Sequence, residues 1–109
     1  MAYDEGLAQR IREVLQEQQN VVEKKMFGGI AFMVNGNMCC GVEKDTLMAR
    51  VGLHAYESAL GQPHARKMDF TGRPMKGMIY IDPKGLESDS DLKTWVERAL
   101  EFALSLPAK

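Results

Sequence analysis

The spacing of apolar residues changes along the chain, and each change predicts a new element. After Asp4, Leu7, Ile11, Val14 and Leu15 recur at helical spacing while Arg10, Arg12, Glu13 and Glu17 mostly hold the other side, the pattern of an amphipathic helix capped by Asp4. It is expected to stop near Gln19 and Asn20, because Asn tolerates the left-handed conformation of a helix end and β-branched Val21 and Val22 follow. From Val21 to Val51, short apolar runs are punctuated by Gly28-Gly29, Asn35-Gly36-Asn37 and Lys44-Asp45, which predicts an antiparallel meander.

The register of that meander follows from side-chain parity, since a slip of one residue moves every side chain to the other face. A two-residue loop at Asn35-Gly36 sets Phe32 on one face with Cys39 and Gly41 and divides the apolar residues between both faces. A three-residue bulged loop with Gly36 left-handed gathers Ile30, Phe32, Val34, Met38, Cys40 and Val42 on one inner face, and is the preferred reading. Through a tight Lys44-Asp45 turn, Leu47, Ala49 and Val51 join that face. The outer face then carries Ala31, Met33, Cys39, Gly41, Glu43, Met48 and Arg50.

Leu53 to Leu60 reads as a short helix ended by Gly61 and Pro63. Met68 to Phe70 and Met78 to Ile81 read as a second hairpin across a Gly- and Pro-containing loop. In the last element, caps between Ser88 and Asp91 precede a stripe of Leu92, Trp95, Val96, Ala99, Leu100, Ala103 and Leu104, with Pro107 beyond the end. The order α, β-meander, α, ββ, α predicts a two-layer α+β fold over residues 1–109, an antiparallel sheet with helices packed on one face.

With 109 residues, 45% of them hydrophobic, the chain makes one domain whose core needs no disulfide or metal. The net charge of −1 excludes a globally basic nucleic-acid binder, although residues 21–80 carry +3 between two segments of −2. Asp4 and Glu5 stand where a signal peptide needs positive charge, and no apolar run approaches the ~20 residues that span a bilayer, so a cytoplasmic location is expected. The two cysteines are neighbours and cannot close a long loop.

No residue set makes a complete catalytic or metal-binding constellation. Cys39 and Cys40, at alternate strand positions, are expected on opposite faces, Cys40 in the core and Cys39 outside. His54 and His64 have no Cys, His or Glu at ligand spacing and read as solvated. Gly28-Gly29 lacks the Lys-Ser or Lys-Thr of a phosphate loop and reads as a sharp change of direction needing positive φ or close packing. Met33 and Met48, with Ala31 and Cys39, form an apolar strip on the outer face, a candidate surface for homodimer formation or partner docking that includes Arg50. Arg66, Lys67, Arg73 and Lys76 against Asp69 make a local basic loop. It reads first as a solvated face and second as an anion or nucleic-acid contact, with Arg73 paired to Asp69 as a bracing alternative.

Several segments together resemble the TfoX N-terminal domain family: Met26-Phe27-Gly28-Gly29-Ile30-Ala31-Phe32, Asn35-Gly36-Asn37-Met38, Met68-Asp69-Phe70-Thr71-Gly72-Arg73-Pro74-Met75, and Trp95-Val96-Glu97 to Ser105-Leu106-Pro107. The resemblance runs from about Tyr3 to Pro107. It implies a secretion-chaperone-like α+β fold in which Met26, Phe27, Gly28, Gly29, Asp69, Phe70, Gly72, Arg73 and Pro74 are structural motif residues. The family's named members are bacterial regulators of natural competence thought to act with the cyclic-AMP receptor protein. They carry a further C-terminal helix-hairpin-helix domain, whereas this sequence reads as the N-terminal module alone.

The resemblance and the residues together lead to the expectation of a small non-enzymatic regulatory or protein-interaction domain, with no cofactor. Its expected partner is a protein, such as a transcription factor homologous to the cyclic-AMP receptor protein, or a second copy of the chain. Met33, Met48, Arg50, Arg73 and Lys76 are the candidate contact residues. Two alternatives remain: a nucleic-acid-associated regulator using the basic loop, and a small-ligand binder or enzyme whose pocket draws on Tyr56, Asp69, Arg73 and Tyr80.

Overall fold

The computed structural model describes residues 3–26, 28–68 and 75–109. Helix α1 spans Glu5–Val14, and Asp4 caps it by accepting the Leu7 amide at 3.1 Å. It buries Leu7, Ala8 and Ile11 and ends earlier than its periodicity predicts. Gln16 to Asn20 contains no apolar residue for the core to hold, so propagation of the helix has no tertiary support there. Asn20 does take the left-handed conformation, with φ 62°, but at the entry to the first strand.

Four strands form the meander: β1 Val21–Met26, β2 Gly29–Val34, β3 Asn37–Glu43 and β4 Thr46–Arg50. Helix α2, Tyr56–Leu60, leads into β5, Ala65–Lys67, and β6, Met78–Ile81. The sheet order is β1-β2-β3-β4-β6-β5, antiparallel throughout, so β6 inserts between β4 and the strand that precedes it in sequence. A 3₁₀ turn over Pro83–Leu86 connects to α3, Asp89–Ser105, which Ser88 caps by accepting the Asp91 amide at 3.0 Å. The predicted α+β architecture is the observed one. Leu7, Ile11, Tyr56, Ala59, Trp95 and Val96 of the three helices share one core with Phe32, Val42, Leu47 and Ile79 of the sheet, so among the described residues the helices cover one face only.

The β2-β3 register differs from the expected one in an informative way. Val34 pairs with Asn37 across a two-residue loop in which Asn35 (φ 53°) and Gly36 (φ 83°) are both left-handed, as a type I′ turn requires. The extra residue lies further along: Met33 faces Met38 and Phe32 faces Cys40, leaving Cys39 as a β-bulge. The bulge restores the predicted parity for Cys40, Val42, Leu47 and Ala49. It also overturns two assignments, because Met38 moves to the helix-free face and Cys39 enters the core beside Cys40.

Other boundaries shift for local reasons. Leu53 precedes α2 and is 70% exposed instead of packing with Tyr56. The second hairpin forms three residues earlier than expected, with Ala65 opposite Ile81, while residues 69–74 of the expected strand and loop lie outside the described residues. Leu104 leaves the α3 stripe, 45% exposed, because it lies about 100° around the helix from Ala103.

Candidate functional site: the helix-free face of the sheet

The face that no helix covers has two halves. Towards β6, Met48, Met68, Met78 and Tyr80 form a small buried core of their own, with Met38 and Met75 packed against it. Met48 is fully buried, so it does not belong to the exposed strip expected of it. Met33 is half-buried on β2. Its neighbours in register are Val22 on one side and Met38 on the other, which makes a cross-strand apolar row Val22-Met33-Met38 at the β1 side of the sheet. Val22 is 53% exposed, one of the few large apolar side chains left in solvent.

Polar groups anchor the other margin. The Tyr80 hydroxyl donates to Glu43 Oε1 at 2.5 Å. The Arg66 guanidinium lies 4.7 Å from the Tyr80 ring centre, and its Nε donates to Asp82 at 2.8 Å. Arg66 is thereby committed, while Lys67 and Lys76 remain exposed. Half-buried Arg50 stands 5.3 Å from the Phe102 ring centre, and its Nη1 reaches the Met38 carbonyl at 3.5 Å. Of the expected contact residues the face therefore brings Met33, Arg50 and Lys76 near solvent and withdraws Met48. Arg73 lies outside the described residues, with Phe27, Asp69, Phe70, Gly72 and Pro74 of the motif set.

Gly28 and Gly29 serve the two purposes a glycine pair allows. Gly28 is left-handed, with φ 74°, and a Cβ on Gly29 would sit 1.8 Å from the Val42 carbonyl oxygen. Met26 closes β1 opposite Gly29, half-buried. Gly28 therefore supplies a left-handed bend, and Gly29 lets β2 run hard against the β3 backbone. The match runs further: the family model of the TfoX N-terminal domain covers residues 13–103. The chain belongs to this family. Neither curated proteins nor solved structures give a match to it. In this TfoX N-terminal domain, the motif residues Gly29 to Phe32 lie in β2 paired with β1, and the Asn35-Gly36 turn joins β2 to β3 in the next hairpin.

The remaining candidates separate. The Cys40 thiol is pushed well above its usual range, first by its hydrogen bond with Cys39 and then by burial, the reverse of what a reactive thiolate needs. His54 and His64 are both exposed. Among the described residues no three His, Cys, Asp or Glu side chains converge as a metal site would require. Tyr56 and Tyr80 lie on opposite faces of the sheet, in different cores, so they cannot line a common pocket. No helix among the described residues is long and apolar enough to cross a membrane. The feature that sequence reasoning missed is the place of Val22 and Met38 in the apolar row. The alternation in Val21-Val22 was visible, but the bulge that turns Met38 outward was not.

Proposed function

We propose that this TfoX-type domain is a non-enzymatic regulatory module of the cytoplasm that works by binding protein. The observation that carries the reading is the Val22-Met33-Met38 row, which leaves apolar surface on a sheet face whose other half is closed by its own methionine core. Methionine side chains adapt to varied contact shapes, and exposed Lys24, of the same strand parity as Val22, brings positive charge to this face. A fitting partner presents an apolar strip edged by acidic side chains. The family resemblance makes a transcription factor of the cyclic-AMP receptor protein class the first candidate.

Two observations rank the alternatives lower. The commitment of Arg66 to Asp82 and Tyr80 reduces the free positive charge available to a nucleic acid along β5. The placement of Tyr56 and Tyr80 in different cores counts against a ligand pocket shared by the two.

Native mass spectrometry of the purified chain with the purified receptor-protein homologue tests the reading. A defined complex that disappears when Met33 and Met38 are both replaced by lysine is the expected result. Binding that survives the double replacement moves the contact elsewhere, and a lone chain carrying a small molecule ends the interaction reading.

A further inference from the structure

Every sheet that does not close has two edges, and here they are unequal. β5 is three residues long, which blunts its edge, whereas β1 offers six residues of mostly exposed strand along its open side. Such an edge presents alternate backbone N–H and C=O groups ready to pair with another strand.

The sequence of β1 narrows the choice of partner. A second copy pairing antiparallel at this edge is related by a dyad normal to the sheet, which sets each residue opposite one of its own parity and on the same face. With the dyad at Lys24, Glu23 of each copy faces Lys25 of the other on the helix side, and Val22 faces Met26 on the helix-free side. Exposed Val22 is then enclosed between Met33 of its own chain and Met26 of the second copy, and the apolar row continues across the join. Only Lys24 meets its own kind, and its long stem carries the ammonium group into solvent. Moving the dyad to Glu23 sets Glu23 against Glu23 and Val22 against Lys24, losing every favourable pair. Glu23 is also held on its own chain by Arg12, whose Nε and Nη2 donate to it at 2.8 and 2.9 Å, so its carboxylate is already oriented on that face.

We infer that the domain forms a homodimer through β1, with the dyad at Lys24 and two Glu23-Lys25 pairs between the copies. This goes beyond the partner-binding reading and does not depend on it, because the readout is the mass of the chain alone.

Sedimentation equilibrium of the full chain at micromolar concentration is expected to give the dimer mass. Glu23→Lys and Lys25→Glu each place like charges opposite one another twice and should weaken self-association at least about tenfold. Mixed in equal amounts, the two variants restore both ion pairs in a heterodimer, and the dimer mass should return. Recovery in the mixture also shows that both variants are folded. As a check on register, Lys24→Cys should form an intermolecular disulfide under mild oxidation, because directly opposite residues stand about 4.5–5.5 Å apart at Cα. Glu23→Cys should not, since its opposite residue is Lys25. A monomeric parent chain, a mixture that stays monomeric, or equal cross-linking at Glu23→Cys and Lys24→Cys overturns the inference.

Discussion

Asn37 donates its side-chain amide to the Pro107 carbonyl at 3.0 Å, fastening the C-terminal tail to the hairpin that joins β2 and β3. Asn37 is buried, and the Lys109 amide makes a second tie to the Asn35 carbonyl at 2.8 Å. Replacing Asn37 by alanine removes the donor and leaves a small void at a buried position, with the tail held by the Lys109 tie alone. The expected loss is about 1–3 kcal/mol in urea-induced unfolding, with faster amide exchange in the tail than elsewhere.

The Cys39 bulge makes a second prediction. Both thiols are buried, and the Cys40 pKa is raised by its hydrogen bond with Cys39 and by burial, so neither should react with a maleimide in the native protein near neutral pH. Both should become reactive together once denaturant opens the core. Fast native labelling of Cys39 alone would mean that it lies on the helix-free face and that the bulge is elsewhere.

Gly29 is a packing requirement more than a conformational one. Alanine there sets a methyl group against the Val42 backbone carbonyl, which cannot yield without moving β3. Gly29→Ala is expected to cost several kcal/mol, on the order of 3 or more, measured by thermal or chemical unfolding. Gly28→Ala, with open space around its Cβ but a positive φ, should cost less, about 1 kcal/mol.

Tyr56 carries the opposite sign. Its hydroxyl is buried without a hydrogen-bond partner among the described residues, a state that costs about 1–3 kcal/mol relative to a satisfied hydroxyl. Tyr56→Phe should therefore leave stability unchanged or raise it by up to about 1 kcal/mol. A marked loss would show that the hydroxyl is bonded.

The pH dependence of stability is expected to include a contribution from Glu23. Its pKa is lowered chiefly by the hydrogen bonds from Arg12; desolvation opposes this in part, and the Arg12 charge adds a smaller lowering. A depressed carboxylate pKa contributes stability that is present above the unfolded value of about 4.3 and is lost as pH falls through the folded value below it. Because the pair is exposed, the contribution is small, under about 1 kcal/mol. Arg12→Ala should flatten the acid limb of the stability curve between neutral pH and pH values below the ordinary Glu range, while leaving the rest unchanged.

By itself the sequence determined the element order, the cap at Asp4 and a cap somewhere within 88–91, the face shared by Phe32, Cys40, Val42, Leu47 and Ala49, and the reason for a glycine pair at 28–29. These depend on neighbours a few residues away or on simple periodicity, which the chain carries locally. Only the tertiary structure decided that the extra residue of the β2-β3 hairpin is Cys39, that β6 lies between β4 and β5, and that Met48 is covered, Met38 only partly and Val22 least of the three. A bulge adds one residue without a compositional signature, and a strand's neighbours are chosen by contacts across the whole sheet, where burying a methionine core on one half of a face leaves the other half open.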